Sequence, residues 1–123
     1  MRLTRKERIA EPFRSGTGEQ VYELLGAPED IGGAKGHSFS HVVIPSGCHS
    51  RPHWHPVAEE TYYILSGEGR MVVDGKEMTL LPGDALLINP PEAHQIFNDS
   101  DADLEFIAVC APAWTPDNSV YLD

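Results

Sequence analysis

No stretch of this chain runs far without a turn signal, and that excludes most architectures. Ten prolines and eleven glycines are spread through 123 residues, and the segments between them are short and rich in apolar side chains. The sharpest cue is "GRMVVDGKEMTLL", where Asp74-Gly75 between two apolar-rich runs predicts a tight hairpin. "LPGD" at 81–84 and "NPPEAH" at 89–94 predict further turns, because proline and glycine punctuate both. "HSFSHVVI", "ETYYIL", "DALLI", "HQIF" and "DLEFIAVC" are then the expected strands. Helix-period segments are nearly absent; "EQVYELLG" has a helical claim and an equal claim to be a strand. Many short strands in this length predict an all-β sandwich or barrel. Residues 1–19, polar and glycine-punctuated, are expected to form an arm ahead of one domain over 20–123. The tail "APAWTPDNSVYLD" is too broken by proline for regular structure, and Trp114 is expected to pack it onto the body.

A chain of this length builds one core without disulfide staples. Its net charge of −10 disfavours nucleic acid and anionic membrane as partners. Arg2, Arg5, Lys6 and Arg8 stand against Glu7 at the start, a basic arm that either docks on an acidic neighbour or is simply solvated. No apolar run reaches the length of a membrane span, and nothing after the basic start resembles a signal-peptide core. Cys48 and Cys110 are too few for a disulfide framework and read as two buried, reduced thiols of a cytoplasmic protein. Cys48 is near enough to the histidines that follow to be an outside candidate for a ligand.

"RPHWHPVAEE" carries the chemistry. His53 and His55, at i and i+2, share one face if they lie on a strand, roughly 6.6 Å apart along it. Alone the pair says little, since two exposed histidines near a loop would look the same. His94 and one of the two glutamates strengthen it, for a third imidazole and a carboxylate complete a mixed nitrogen and oxygen site suited to first-row transition metals. Alternation leaves Glu59 and Glu60 both open. Tyr62 and Ile64 line one face of that strand, Tyr63 and Leu65 the other, and both faces are apolar. Such a strand is expected to be buried on both sides, with a core within and a second packing surface outside.

The spacing around these residues resembles the cupin family. Gly47, five residues, His53-x-His55, four residues, Glu60, six residues and Gly67 match its first motif, and this spacing takes Glu60 over Glu59. Gly83, His94 eleven residues later and Asn98 four further on resemble its second motif. Asn89 stands where that motif has proline and Pro91 replaces its glycine, which leaves the turn before His94 open to question. The resemblance covers about residues 37–110. It implies an antiparallel double-sheet jelly-roll barrel. It also implies one divalent transition-metal ion (Mn, Fe, Ni or Zn) held by His53, His55, Glu60 and His94, with open positions for water or substrate. Cupins of this kind commonly pair through a sheet, so a homodimer is expected, with the N-terminal arm reaching across.

Parity along the strands nominates the pocket lining. Arg51, two residues before His53, is either a grip for a substrate carboxylate or an exposed arginine at the barrel rim. Tyr62 and Ile64 should follow Glu60 inward, and Ile96 and Asn98 should follow His94; with Arg51 these are the candidate substrate contacts. Tyr62 is also the candidate proton donor, packing being its plainer role. His37 and His41 share a face with Phe39 and read as surface or supporting histidines, and His49 as an exposed loop residue. Cupin chemistry spans dioxygenases, decarboxylases and isomerases, and fold and ligands do not choose among them. The expected function is a metal-dependent enzyme acting on a small organic acid or sugar-derived molecule. The alternative is a non-catalytic ligand-binding or regulatory module in which the metal anchors the ligand.

Overall fold

In a computed structural model describing residues 1–123, the punctuated pattern resolves into eleven strands and three short 3-10 helices. In chain order the strands are β1 (Phe13–Arg14), β2 (Gln20–Leu25), β3 (Ser38–Ile44), β4 (His53–Trp54), β5 (Glu59–Ser66) and β6 (Gly69–Val73). β7 (Lys76–Leu80), β8 (Ala85–Ile88), β9 (His94–Phe97), β10 (Leu104–Ala111) and β11 (Val120–Tyr121) follow. Two sheets form, one in the order β1-β2-β3-β10-β5-β8 and the other β11-β4-β9-β6-β7, and the pairing of the named strands is antiparallel. This is the expected all-β double-sheet jelly-roll architecture.

The hairpin forms where Asp74-Gly75 predicts it. Both residues have positive φ (47° and 81°), the backbone that a two-residue turn needs to follow the twist of β6 and β7. Gly67, in the β5–β6 turn, is required twice over: its φ is 83°, and a Cβ there would lie 2.4 Å from the Asp103 carbonyl oxygen. Between the sheets, Ile44, Ile64, Met71, Ile96, Leu104 and Phe106 are fully buried and form the centre of the core. Tyr62 closes the core toward the candidate site, its ring 4.5 Å from that of Phe106.

Three segments take definite form. "EQVYELLG" is a strand, β2, because it pairs with β3 from Gln20↔Val43 to Leu25↔Phe39. The segment read as an arm is built into the body along much of its length. β1 pairs with β2, Lys6 lies 4.3 Å over the Tyr22 ring, and Arg2 donates to the Asp30 carbonyl, so the arm folds on its own sheet. The tail is not wholly irregular either. β11 pairs with β4 through Val120↔Trp54 and Tyr121↔His53, and Trp114 anchors the tail by donating from its backbone N–H to Ser38 Oγ and from Nε1 to Ser119 Oγ.

The doubly apolar strand has one face inside and one outside. Tyr62 and Ile64 point into the core, whereas Tyr63 and Leu65 are 46% and 43% exposed. Leu87, on the neighbouring edge strand β8, is exposed beside them. No helix is long and apolar enough to cross a membrane.

Candidate metal centre

Four elements bring the candidate ligands together. β4 supplies His53, the residue just after β4 supplies His55, β5 supplies Glu60, and β9 supplies His94. The strand is too short to hold both first histidines at i and i+2, yet one potential donor atom from each of the four side chains lies within 4.8 Å of the others. His53 and His94 face each other directly in strand register, and Glu60 pairs with Cys110 and Ile88 in the opposite sheet. The site therefore draws its residues from both sheets. Glu60 is buried and Glu59 exposed, as the motif spacing requires. The altered turn before His94 is held by its own contacts. Glu92 N–H donates to the Asn89 carbonyl at 2.8 Å, Asn89 N–H donates to Glu92 Oε1 at 2.7 Å, and the Pro90–Pro91 bond is cis.

The three imidazoles are oriented alike. Nδ1 of His53 lies 2.8 Å from the Arg51 carbonyl, that of His55 2.6 Å from the Asn118 carbonyl, and that of His94 3.0 Å from the Glu92 carbonyl. A carbonyl oxygen only accepts, so each Nδ1 carries the proton and each Nε2 points inward. Nε2 of His55 and of His94 then lie 3.2 and 3.1 Å from the same oxygen, Glu60 Oε1. A nitrogen lone pair facing a carboxylate oxygen at that distance is repulsive unless a cation lies between. Protons on the nitrogens satisfy the contact, and so does one metal ion. Backbone carbonyls that fix the tautomer in this way are the usual support of metal-binding histidines.

The charges agree with this geometry. Burial disfavours the Glu60 carboxylate, but its hydrogen bonds with His55 and His94 outweigh burial and hold it well below the usual carboxylate range. Burial also opposes charge on His55, yet the hydrogen bond to Glu60 carries its pKa upward. His53 has no such carboxylate contact and is pushed down to about 4 by burial and by His94, so its Nε2 is a bare lone pair at neutral pH. A divalent ion would replace the protons that bridge this cluster, and the donor set of three borderline nitrogens and one oxygen fits a first-row transition metal.

Beside the four residues opens a cavity of about 170 Å³. Arg51 and Tyr62, two of the residues expected at the ligand, line it. Arg51 is engaged, however: its Nε and Nη2 donate to the Asp123 carboxylate, with Nη2 at 2.8 Å, and its guanidinium lies 3.7 Å over the Tyr121 ring. Burial pushes the Tyr62 hydroxyl well above its ordinary value, so it keeps its proton. Ile64, Ile96 and Asn98 do not line the cavity. Ile64 and Ile96 lie in the core, and Asn98 is a buried clamp whose Nδ2 donates to the carbonyls of Ile44 and Ala102. All three are buried, but Ile64 and Asn98 stand four residues past Glu60 and His94, about 13 Å along a strand. Ile96 packs in the core although Tyr62, equally two residues past a candidate ligand, stays at the cavity wall.

The other histidines and Cys48 lie outside the cluster, and Cys48 is half-buried where Cys110 is fully buried. His37 is exposed, His41 donates from Nε2 to Glu105 at 2.8 Å, and half-buried His49 packs at a tilt against the Phe97 ring. Two cavity residues had no signal in the sequence. Glu19, just before β2, shares the cavity wall with Val21 and Glu23, an alternation visible once the segment is known to be a strand. Burial and the neighbouring Glu60 push Glu19 up to about 7. Cys110 is buried with Sγ 3.0 Å from Glu60 Oε2.

Fold and site together define a small double-sheet β protein with a candidate mononuclear metal centre built from both sheets. The chain belongs to the cupin family: the family's model, the cupin domain, matches residues 40–110. It is 36% identical over 103 residues to an oxalate-binding protein from Thermotoga maritima, covering 84% of either chain. Among solved structures it resembles a predicted oxalate decarboxylase from Thermotoga maritima, with 30% identity and a TM-score of 0.77 over 90% of this chain and 99% of that one. It also resembles a sugar phosphate isomerase from Silicibacter pomeroyi, with 27% identity and a TM-score of 0.70, covering 86% of this chain and 66% of that one.

Proposed function

We propose that this cupin binds one divalent transition-metal ion on His53, His55, Glu60 and His94. It then acts as an enzyme on a small carboxylate-bearing molecule, an organic acid of the oxalate kind or a sugar-derived acid. The observation that carries the proposal is the convergence of two inward Nε2 atoms on Glu60 Oε1, an arrangement that calls for a cation. A bound ion supplies Lewis acidity and open positions for ligand oxygens.

The remaining roles belong to the chain itself. Arg51, which lines the cavity, would grip a ligand carboxylate once it leaves Asp123. Glu19, with a pKa of about 7, holds a proton that it can give up near neutral pH, and it is a better proton carrier than Tyr62. Similarity to the Thermotoga maritima oxalate-binding protein supports a second reading, in which the ion and Arg51 hold the ligand without turning it over.

Elemental analysis of protein purified without a histidine tag tests the metal. About one equivalent of manganese, iron, nickel or zinc per chain is expected, and His55→Ala should lose most of it. Wild-type protein that binds none of these ions when they are supplied overturns the proposal. Metal-loaded protein is then given oxalate. Release of carbon dioxide and formate marks an enzyme, whereas saturable binding with oxalate recovered intact marks the second reading.

A further inference from the structure

Glu60 uses its two oxygens for different purposes. Oε1 faces the Nε2 atoms of His55 and His94, while Oε2 turns away from them to Cys110, 3.0 Å from its Sγ. The contact follows from strand register. β3, β10 and β5 place Ser38, Cys110 and Glu60 side by side in one transverse row, and all three are buried. Ser38 Oγ accepts from the Trp114 N–H, which fixes the far end of that row. A cysteine that merely filled the core would bury its sulfur among apolar side chains. This one lies against a carboxylate oxygen at the wall of the cavity.

We infer that Cys110 is a positioning residue for the metal centre: its thiol donates to Glu60 Oε2 and so presents Oε1 alone to the ion. Without that donor the carboxylate is free to turn about its last bond and offer both oxygens, or to rotate away from the imidazoles. The inference rests on the metal-binding reading above and concerns how one ligand is held. Hydrogen-bonding partners that orient a ligand commonly contribute 10- to 100-fold in metal affinity.

The experiment uses the full chain with Mn²⁺ as the probe, counting free ion by electron paramagnetic resonance. Cys110→Ala is expected to weaken Mn²⁺ binding by about 10- to 100-fold. Cys110→Ser, which restores a donor, should recover most of the loss. In the infrared, the separation of the carboxylate stretching bands should report one-oxygen coordination in wild type and change in Cys110→Ala. Equal Mn²⁺ affinity and equal band separation in wild type and Cys110→Ala overturn this inference and leave the metal-binding reading standing. Failure of wild type to bind Mn²⁺, Fe²⁺, Ni²⁺ or Zn²⁺ overturns both. Should Cys110→Ala not fold, Cys48→Ala isolates the Cys110 S–H band in otherwise intact protein. A band lowered from that of a free thiol, which moves when Glu60→Gln is added, supports the contact. A free-thiol band that ignores Glu60→Gln refutes it.

Discussion

The guanidinium of Arg51 lies over the ring of Tyr121, and Tyr121 is the strand partner of the candidate ligand His53. The tail thus lines the cavity through Trp114, Ser119 and Tyr121, with Asp123 occupying the arginine that an anionic ligand would want. Asp123→Asn is expected to tighten binding of oxalate to metal-loaded protein by severalfold. Arg51→Gln should weaken it by about tenfold, in line with a hydrogen bond between charged groups. Titration calorimetry reads both. If neither substitution changes the affinity, Arg51 takes no part in holding the ligand. The pair is exposed, so thermal stability should move little in either variant.

Acid should act on the metal-loaded protein far more than on the metal-free form. His53 is pushed from 6.5 down to about 4, so between those values the unfolded chain takes up a proton that the folded chain refuses, and stability falls with pH. Glu19 is pushed from 4.5 up to about 7, which has the opposite sign: the folded chain keeps a proton that the unfolded chain releases, and stability rises as pH falls through that window. The raised His55 acts in the same sense as Glu19. The depressed Glu60 contributes above its ordinary 4.5 and loses that contribution only toward its lower folded value. These effects offset one another in metal-free protein. With an ion bound, protons compete for the imidazoles, so melting temperature should drop from about pH 6 to 4.5 and meet the chelator-treated value. Curves that stay parallel across that range would rule out a metal that matters to the fold.

A homodimer is expected through the outer face of the six-stranded sheet. Tyr63, Leu65 and Leu87 stand exposed there on two adjacent strands, one of them the sheet edge. Light scattering at low micromolar concentration should give twice 13.5 kDa. Leu65→Glu should shift the particle to the monomer mass. A wild-type monomer at that concentration refutes the expectation.

Ile96→Ala separates core from pocket. The side chain is fully buried, and its loss should cost about 2–5 kcal/mol in urea unfolding. One ion per chain should still bind, because the residue supports the core and not the cavity. A variant of full stability with altered ligand binding would return Ile96 to the pocket.

Much of this architecture was legible from turn chemistry and periodicity. The Asp74-Gly75 hairpin and the strands β3, β5, β8, β9 and β10 lie where apolar runs and turn residues put them. β1, β4 and β11 are each two residues long, too short for any period to register. Glu60 could be separated from Glu59 only by motif spacing, since both faces of β5 are apolar. Glu19, Cys110, Tyr121 and Asp123 reach the site through pairings of residues far apart in the chain, and no local pattern encodes such contacts. Parity correctly sent Ile64, Ile96 and Asn98 inward, but it carries no information about depth along the barrel axis.

The tail's contact with His55 has a further consequence. The carbonyl of Asn118, 63 residues downstream, is what sets the tautomer of that imidazole. Whatever loosens the tail also frees the imidazole to turn, and whatever fixes the imidazole holds the tail down. Metal occupancy of the candidate centre and protection of residues 114–123 are therefore expected to rise and fall together. Amide exchange or protease cleavage in the last ten residues would report on an ion buried among strands from the middle of the chain.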